Sequence, residues 1–147
     1  MKTYFSDEPW VQTYAFYLRT LVFVQEMGVS PSVEFDHLDN DDHPYLLMMD
    51  NGIPVGAVRY LQKDEHTVHP DSLCVLEDYR NRSIGFRLML MIEQKALENG
   101  CIFSVIRAHT STIPFYHQLG YSVASEEYIE EGNLYVEMQK SLIPSLV

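Results

Sequence analysis

The chain has 147 residues, 46% apolar and 21% charged, with a formal net charge of −11. That length suits one domain, spanning 1–147, with a single sizeable core. No run approaches the ~20 apolar residues that span a bilayer, Met1-Lys2 opens no signal peptide, and the acidic balance argues against a nucleic-acid partner.

Residues 1–72 carry twelve acids and four bases, an excess compatible with attracting a cationic amine. Residues 1–5 read as a short strand. Asp7-Glu8-Pro9 is a helix start. The helix predicted from Pro9 to about Glu26 would bury Trp10, Tyr14, Tyr17, Leu18, Leu21 and Val22, with Met27-Gly28 as its stop. From Val29 to His43 the chain is irregular and acidic, with Glu34, Asp36, Asp39, Asp41 and Asp42 around His37 and His43. The spacing matches no ligand template, so no metal is expected.

Tyr45–Met49 and Ile53–Leu61 read as strands joined by a hairpin turn, Asp50-Asn51-Gly52. A fourth strand leads through Val68-His69-Pro70-Asp71-Ser72 into Leu73-Cys74-Val75-Leu76. A polar turn, Glu77 to Ser83, precedes a helix whose apolar residues fall at 84, 88, 91, 92 and 96, and Asn99-Gly100 stops it. The turn therefore lies at a helix N-terminus, where amides lack partners and the dipole is positive. Arg80, Arg82 and Arg87 surround it, and Ser83 and Gly85 are small. A phosphate or pyrophosphate would be well held there.

Ile102–Ile106 follows as a strand, then a short helix over Thr112–Leu119. Tyr121–Ile129 and Leu134–Gln139 form a last hairpin. Strands alternating with helices predict an α/β sandwich with helices on both faces. The two cysteines, Cys74 and Cys101, lie in apolar runs and read as reduced, buried thiols of a cytoplasmic protein.

Three stretches carry a resemblance. Arg80-Asn81-Arg82-Ser83-Ile84-Gly85, with Val75 and Tyr79, resembles the pyrophosphate loop of the GNAT N-acetyltransferases, with Ser83 where a glycine is usual. Pro114 to Tyr121 resembles the family's F-Y-x-x-L-G-F/Y segment. Leu18, Arg19, Val22, Phe23, Val24, Glu26, Gly28, Val29, Glu34, Asp36 and Asp39 match members whose first helices wall the acceptor site, and Gly56 and Arg59 match a G-x-x-R. The resemblance runs from about Leu18 to Gln139. It implies a mixed sheet of six or seven strands, splayed between strands 4 and 5, binding acetyl-coenzyme A.

It also implies roles. Backbone groups around Leu73, Cys74 and Val75 would meet the acetyl and pantetheine groups, and the amides of Arg80, Asn81, Arg82, Ser83, Ile84, Gly85 and Phe86 the pyrophosphate. His109 stands where many members put a cofactor-contacting asparagine. Transfer would be direct, so neither cysteine is a nucleophile. Tyr116 matches the tyrosine that protonates the departing thiolate. The base that deprotonates the amine is less decided: His69 and Asp71 occupy the two usual positions, with Pro70 between them, and Glu26, Glu34 and Asp36 are acceptor-wall alternatives. The acceptor reads as a small-molecule or protein amine, with a homodimer left open. An acyl-homoserine-lactone-synthase-like acyltransferase and a non-catalytic acetyl-coenzyme A sensor are the competing readings.

Overall fold

The computed structural model describes residues 1–35 and 42–143. Asp36, Asp39 and Asp41 lie outside the described residues, so no contact is assigned to them. A first sheet is built from β1 (Lys2–Ser6), β2 (Tyr45–Asp50), β3 (Ile53–Arg59) and β5 (Asp71–Val75), in that order and antiparallel throughout. Asn51 and Gly52, both at positive φ, make the predicted tight turn between β2 and β3. Tyr45 to Met49 is buried along its whole length because both faces are covered. Helix α1 (Pro9–Arg19) packs on Tyr45, Leu47 and Met49, and α3 (Ile84–Glu98) on Leu46 and Met48. Gly56 lets α3 approach β3: a Cβ there would stand 2.9 Å from Leu88 Cδ1 and 3.1 Å from Ile84 Cγ2.

The first helix buries Leu18 and Val22 as expected, but not Trp10 and Tyr17. Val11, Ala15, Leu18, Arg19 and Val22 face the sheet, while Trp10 and Tyr17 are 40% and 52% exposed. Small residues let the helix sit close to β3, and the rings move to its flank, where Trp10 meets Tyr4 and Tyr14 edge-on. The helix continues to Glu26, as expected, but as a π-helical stretch over Thr20–Glu26, with Met27 N donating to Val22 O at 3.0 Å. A short helix, α2 (Pro31–Glu34), follows. In α3, Met89 and Glu93 are buried and Met91 is exposed, a shift of the face toward the second sheet.

The predicted fourth strand is two strands. Before His69-Pro70, β4 (Thr67–Val68) pairs in parallel with the start of β6 (Phe103–His109); after it, β5 pairs with β3. Proline has no N–H for a ladder, so the chain leaves one sheet and joins the other there. The second sheet runs β4-β6-β9-β7, with β9 at Asn133–Ser141, β7 at Ser122–Val123 and β8 (Tyr128–Glu130) also on β9. The strand expected over Tyr121–Ile129 is thus broken into β7 and β8. Helix α4 (Ile113–Gln118) lies against β7, and the 3₁₀ turn before it lies against β6 and β9. Splaying is as expected, and the physical cause is the Pro70 break.

Candidate active site

A cleft of about 1410 Å³ opens where β5 and β6 diverge. Beyond Ser104, β6 pairs only with β9, so its other edge faces β5 across the gap. β5 carries a bulge: Arg59 pairs with Asp71 and Ala57 with Cys74, and Ser72 turns to φ 54 between them. The bulge frees the backbone around Leu73 from the β3 ladder. Two strand edges with unspent amides and carbonyls therefore line one slot, the geometry that receives an extended amide-bearing arm.

At the mouth of the slot stands the N-terminus of α3. Asn81 and Ser83 adopt left-handed conformations at φ 62 and 59, a backbone turn that gathers successive N–H groups into an anion-binding concavity. Glycine enters this region without strain, which explains the family preference at the Ser83 position. No side chain caps the helix and its first turn holds no acid, so the positive dipole end is left uncompensated from within. A Cβ at Gly85 would meet Phe115 and Val75 at contact distances of 3.4 and 3.7 Å.

Nearly all the predicted site residues are brought together. His69, Asp71, Leu73, Cys74, Val75, Arg80, Asn81, Ser83, Ile84, Gly85, Phe86, His109, Tyr116, Glu26 and Glu34 all line the cleft. Arg82 does not; its guanidinium lies 4.8 Å over the Tyr79 ring on the outside of the loop. Several of the residues are already engaged. Asp71 is held by Arg59 through two bonds of 2.7 and 2.8 Å. Glu34 accepts from the buried Arg19 at 3.0 Å, and Arg19 also reaches the Tyr45 hydroxyl at 2.6 Å. Glu26 is paired with Arg80, whose guanidinium holds its carboxyl below the usual range. These contacts give Asp71 and Glu34 a structural task the sequence did not disclose.

His69 is half-buried, in the crook between β4 and β5. Burial, helped by the Lys63 charge, lowers its pKa below the ordinary imidazole value. Tyr116 on α4 is half-buried between Phe115 and Tyr121, whose ring centroids lie 5.0 and 5.9 Å away. Burial pushes its phenol up to about 12, so its proton stays in place at any physiological pH. Tyr121 is itself fixed, donating to the buried Glu93 at 2.9 Å and bonding Ser104 at 2.7 Å. The His109 Nδ1 accepts from Ser111 N at 3.2 Å, which leaves Nε2 as the proton-bearing nitrogen of that tautomer. Cys74 is buried and its thiol is pushed up to about 12, an unreactive setting.

The far wall was not read from the sequence. Tyr128, Glu130, Glu131, Asn133, Tyr135 and Glu137 of the β8–β9 hairpin face the cleft, with Tyr128 and Tyr135 stacked at 6.1 Å and Glu130 paired with Arg107. The acids of Glu130-Glu131-Gly132-Asn133 were visible only as a turn. Their approach to the Met27–Val33 stretch is a product of the fold.

The sequence profile of the Acetyltransferase (GNAT) family matches residues 8–121. YjcF of Bacillus subtilis, named an uncharacterized N-acetyltransferase, is 35% identical over 127 residues, which cover 86% of this chain and 89% of YjcF. The crystal structure of a presumed N-acetyltransferase from Lactobacillus plantarum superposes with a TM-score of 0.93 at 31% identity, covering 97% of this chain and 98% of that one. An aminoglycoside 6'-N-acetyltransferase complexed with coenzyme A shares the fold at a TM-score of 0.77 and 20% identity, over 99% of both chains.

Proposed function

Because the chain belongs to the GNAT acetyltransferase family, we propose that it moves an acetyl group from acetyl-coenzyme A directly to a primary amine. One observation carries this reading: the slot between the open edges of β5 and β6 ends at the uncapped N-terminus of α3. An amide-bearing arm fits the slot and a diphosphate fits the helix end, and a single ligand class has both parts in that order. The coenzyme A held by the aminoglycoside acetyltransferase neighbour supports the same assignment.

When bound, acetyl-coenzyme A supplies an acetyl thioester, already activated toward attack by an amine. The protein does the rest. Backbone N–H groups from Asn81 to Phe86 would hold the diphosphate, and the groups around Leu73 and Val75 would orient the pantetheine amides and the acetyl carbonyl. His69, neutral at physiological pH, would take the proton that the substrate ammonium must lose to become the attacking amine. Asp71 is less suited to that task, because Arg59 occupies both its oxygens. Tyr116 Oη would hydrogen-bond the sulfur and protonate it as the carbon–sulfur bond breaks, and its high pKa keeps that proton available. Glu26, Glu34 and the β8–β9 hairpin would wall the acceptor pocket, where the hairpin acids Glu131 and Glu137 favour a cationic amine.

The test is free-thiol release from acetyl-coenzyme A across a library of primary amines, with wild type and Tyr116→Phe. With any amine that is turned over, the phenylalanine variant should lose roughly 10²-fold or more in turnover while retaining coenzyme A affinity. Turnover equal to wild type would remove Tyr116 from the acid role.

A further inference from the structure

Two residues assigned to opposite halves of the site are tied to each other. Glu26 ends the π-helical stretch on the acceptor wall, and Arg80 opens the cofactor loop. They meet fork to fork, Arg80 Nη1 on Glu26 Oε1 at 2.5 Å and Nη2 on Oε2 at 2.6 Å. Arg80 Nε donates to the Val75 carbonyl at 3.0 Å. The guanidinium therefore hangs from β5 with its planar fork spent on a carboxylate, at the edge of a loop shaped for a stronger anion.

We propose that Glu26 and the cofactor diphosphate compete for Arg80, so that loading the cofactor frees the Glu26 carboxylate to receive a cationic amine. The inference rests on the acetyl-coenzyme A reading above. A guanidinium fork suits phosphate as well as carboxylate, and the diphosphate brings the larger charge with support from the loop amides. The two side chains are each about a third exposed, 36% and 35%, so the existing pair is weak enough to exchange. The other cleft acids with an arginine partner are differently placed. Glu34 sits on buried Arg19 and Asp71 on buried Arg59, whereas Glu130 pairs with Arg107, remote from the loop. Among the described residues, Glu26 is the acid whose arginine borders the cofactor loop.

The backbone beneath Glu26 is suited to the movement. A π-helical turn differs from an α-helical one by a single residue of register, and its end here mixes bonds, Met27 N to Val22 O but Gly28 N to Val24 O. The movement belongs to its C-terminal end, Gln25 to Gly28, because Val22 is held in the core with Val11, Ala15 and Leu18.

Coenzyme A titrations by calorimetry test the competition, using the full chain as wild type, Glu26→Gln, Arg80→Met and the double variant. Glu26→Gln should bind coenzyme A roughly two- to fivefold tighter than wild type, the range expected when a surface pair of this exposure no longer has to be broken. The gain should vanish in the Arg80→Met background. No gain, or an equal gain without Arg80, overturns the competition and leaves the coenzyme A site intact. Wild type failing to bind coenzyme A overturns the acetyltransferase site itself, and the proposal with it. Hydrogen exchange supplies the second readout. Coenzyme A should lower amide protection over residues 25–28 in wild type and leave it unchanged in Glu26→Gln, and unchanged protection in wild type overturns the release.

Discussion

Gly85 separates the proposed cofactor-binding role of its loop from the stability of the fold. A Cβ at this position stands 3.4 Å from Phe115 Cζ and 3.7 Å from Val75 Cγ2, ordinary contact distances. Gly85→Ala should therefore fold at least as well as wild type, with up to about 1 kcal/mol gained from helix propensity. Gly85→Glu places an acid that the helix dipole favours by about 0.3–1 kcal/mol, and its thermal melt reads what the longer side chain costs beside Phe115 and Val75. Its carboxylate would, however, stand at the proposed diphosphate site. At a separation of about 6 Å and an effective dielectric of about 20, each pair of unit charges repels by about 3 kcal/mol, roughly a hundredfold in Kd. Calorimetric titration with coenzyme A, beside thermal melts of all three proteins, reads both effects. A Glu variant that melts like wild type and binds coenzyme A equally well would refute the loop assignment. An Ala variant that loses as much affinity as the Glu variant would refute the charge argument.

Other outcomes follow from the same geometry. With His69 lowered by burial, the neutral base form is present above its folded pKa, so kcat/KM should rise with pH through a midpoint below 6.5. His69→Gln should flatten that limb, and an unaltered profile would assign the base elsewhere. Gly56→Ala should cost about 1–2 kcal/mol, overpacking against Leu88 and Ile84 less the gain in strand propensity. That predicts a Tm lower by about 2–8 °C, and an unchanged melt would mean α3 shifts freely. Cys74 and Cys101 are buried and their thiols raised, Cys74 to about 12, so a disulfide-exchange reagent should label neither quickly until denaturant is added. Rapid labelling of the native protein would contradict the packing.

The strand–turn–helix from Leu73 to Gly100 was legible because its signals are local. A short apolar run, an arginine-bearing turn, a 3.6-residue period and an Asn-Gly stop each depend on near neighbours in the chain. The structure forms the turn and the uncapped helix end there, and it places His69 and Tyr116 in one cleft. Periodicity was a poorer guide for α1, where Trp10 and Tyr17 fit the pattern but Ala15 and Val11 do the packing, because helix-to-sheet distance is set by the partner surface. Which acid binds which arginine could not be read at all. Asp71 with Arg59 spans 12 positions, Glu34 with Arg19 15, and Glu26 with Arg80 54. Such pairs, like the β8–β9 wall facing Met27–Val33, exist only once the chain has folded: β3 beside β5 joins Arg59 to Asp71, and the first two helices bring Arg19 to Glu34. Local chemistry thus determined where an anion could be held. Long-range packing decided which charges remain free to act there, since ion pairing depends on distance in space and carries no periodic trace in the chain.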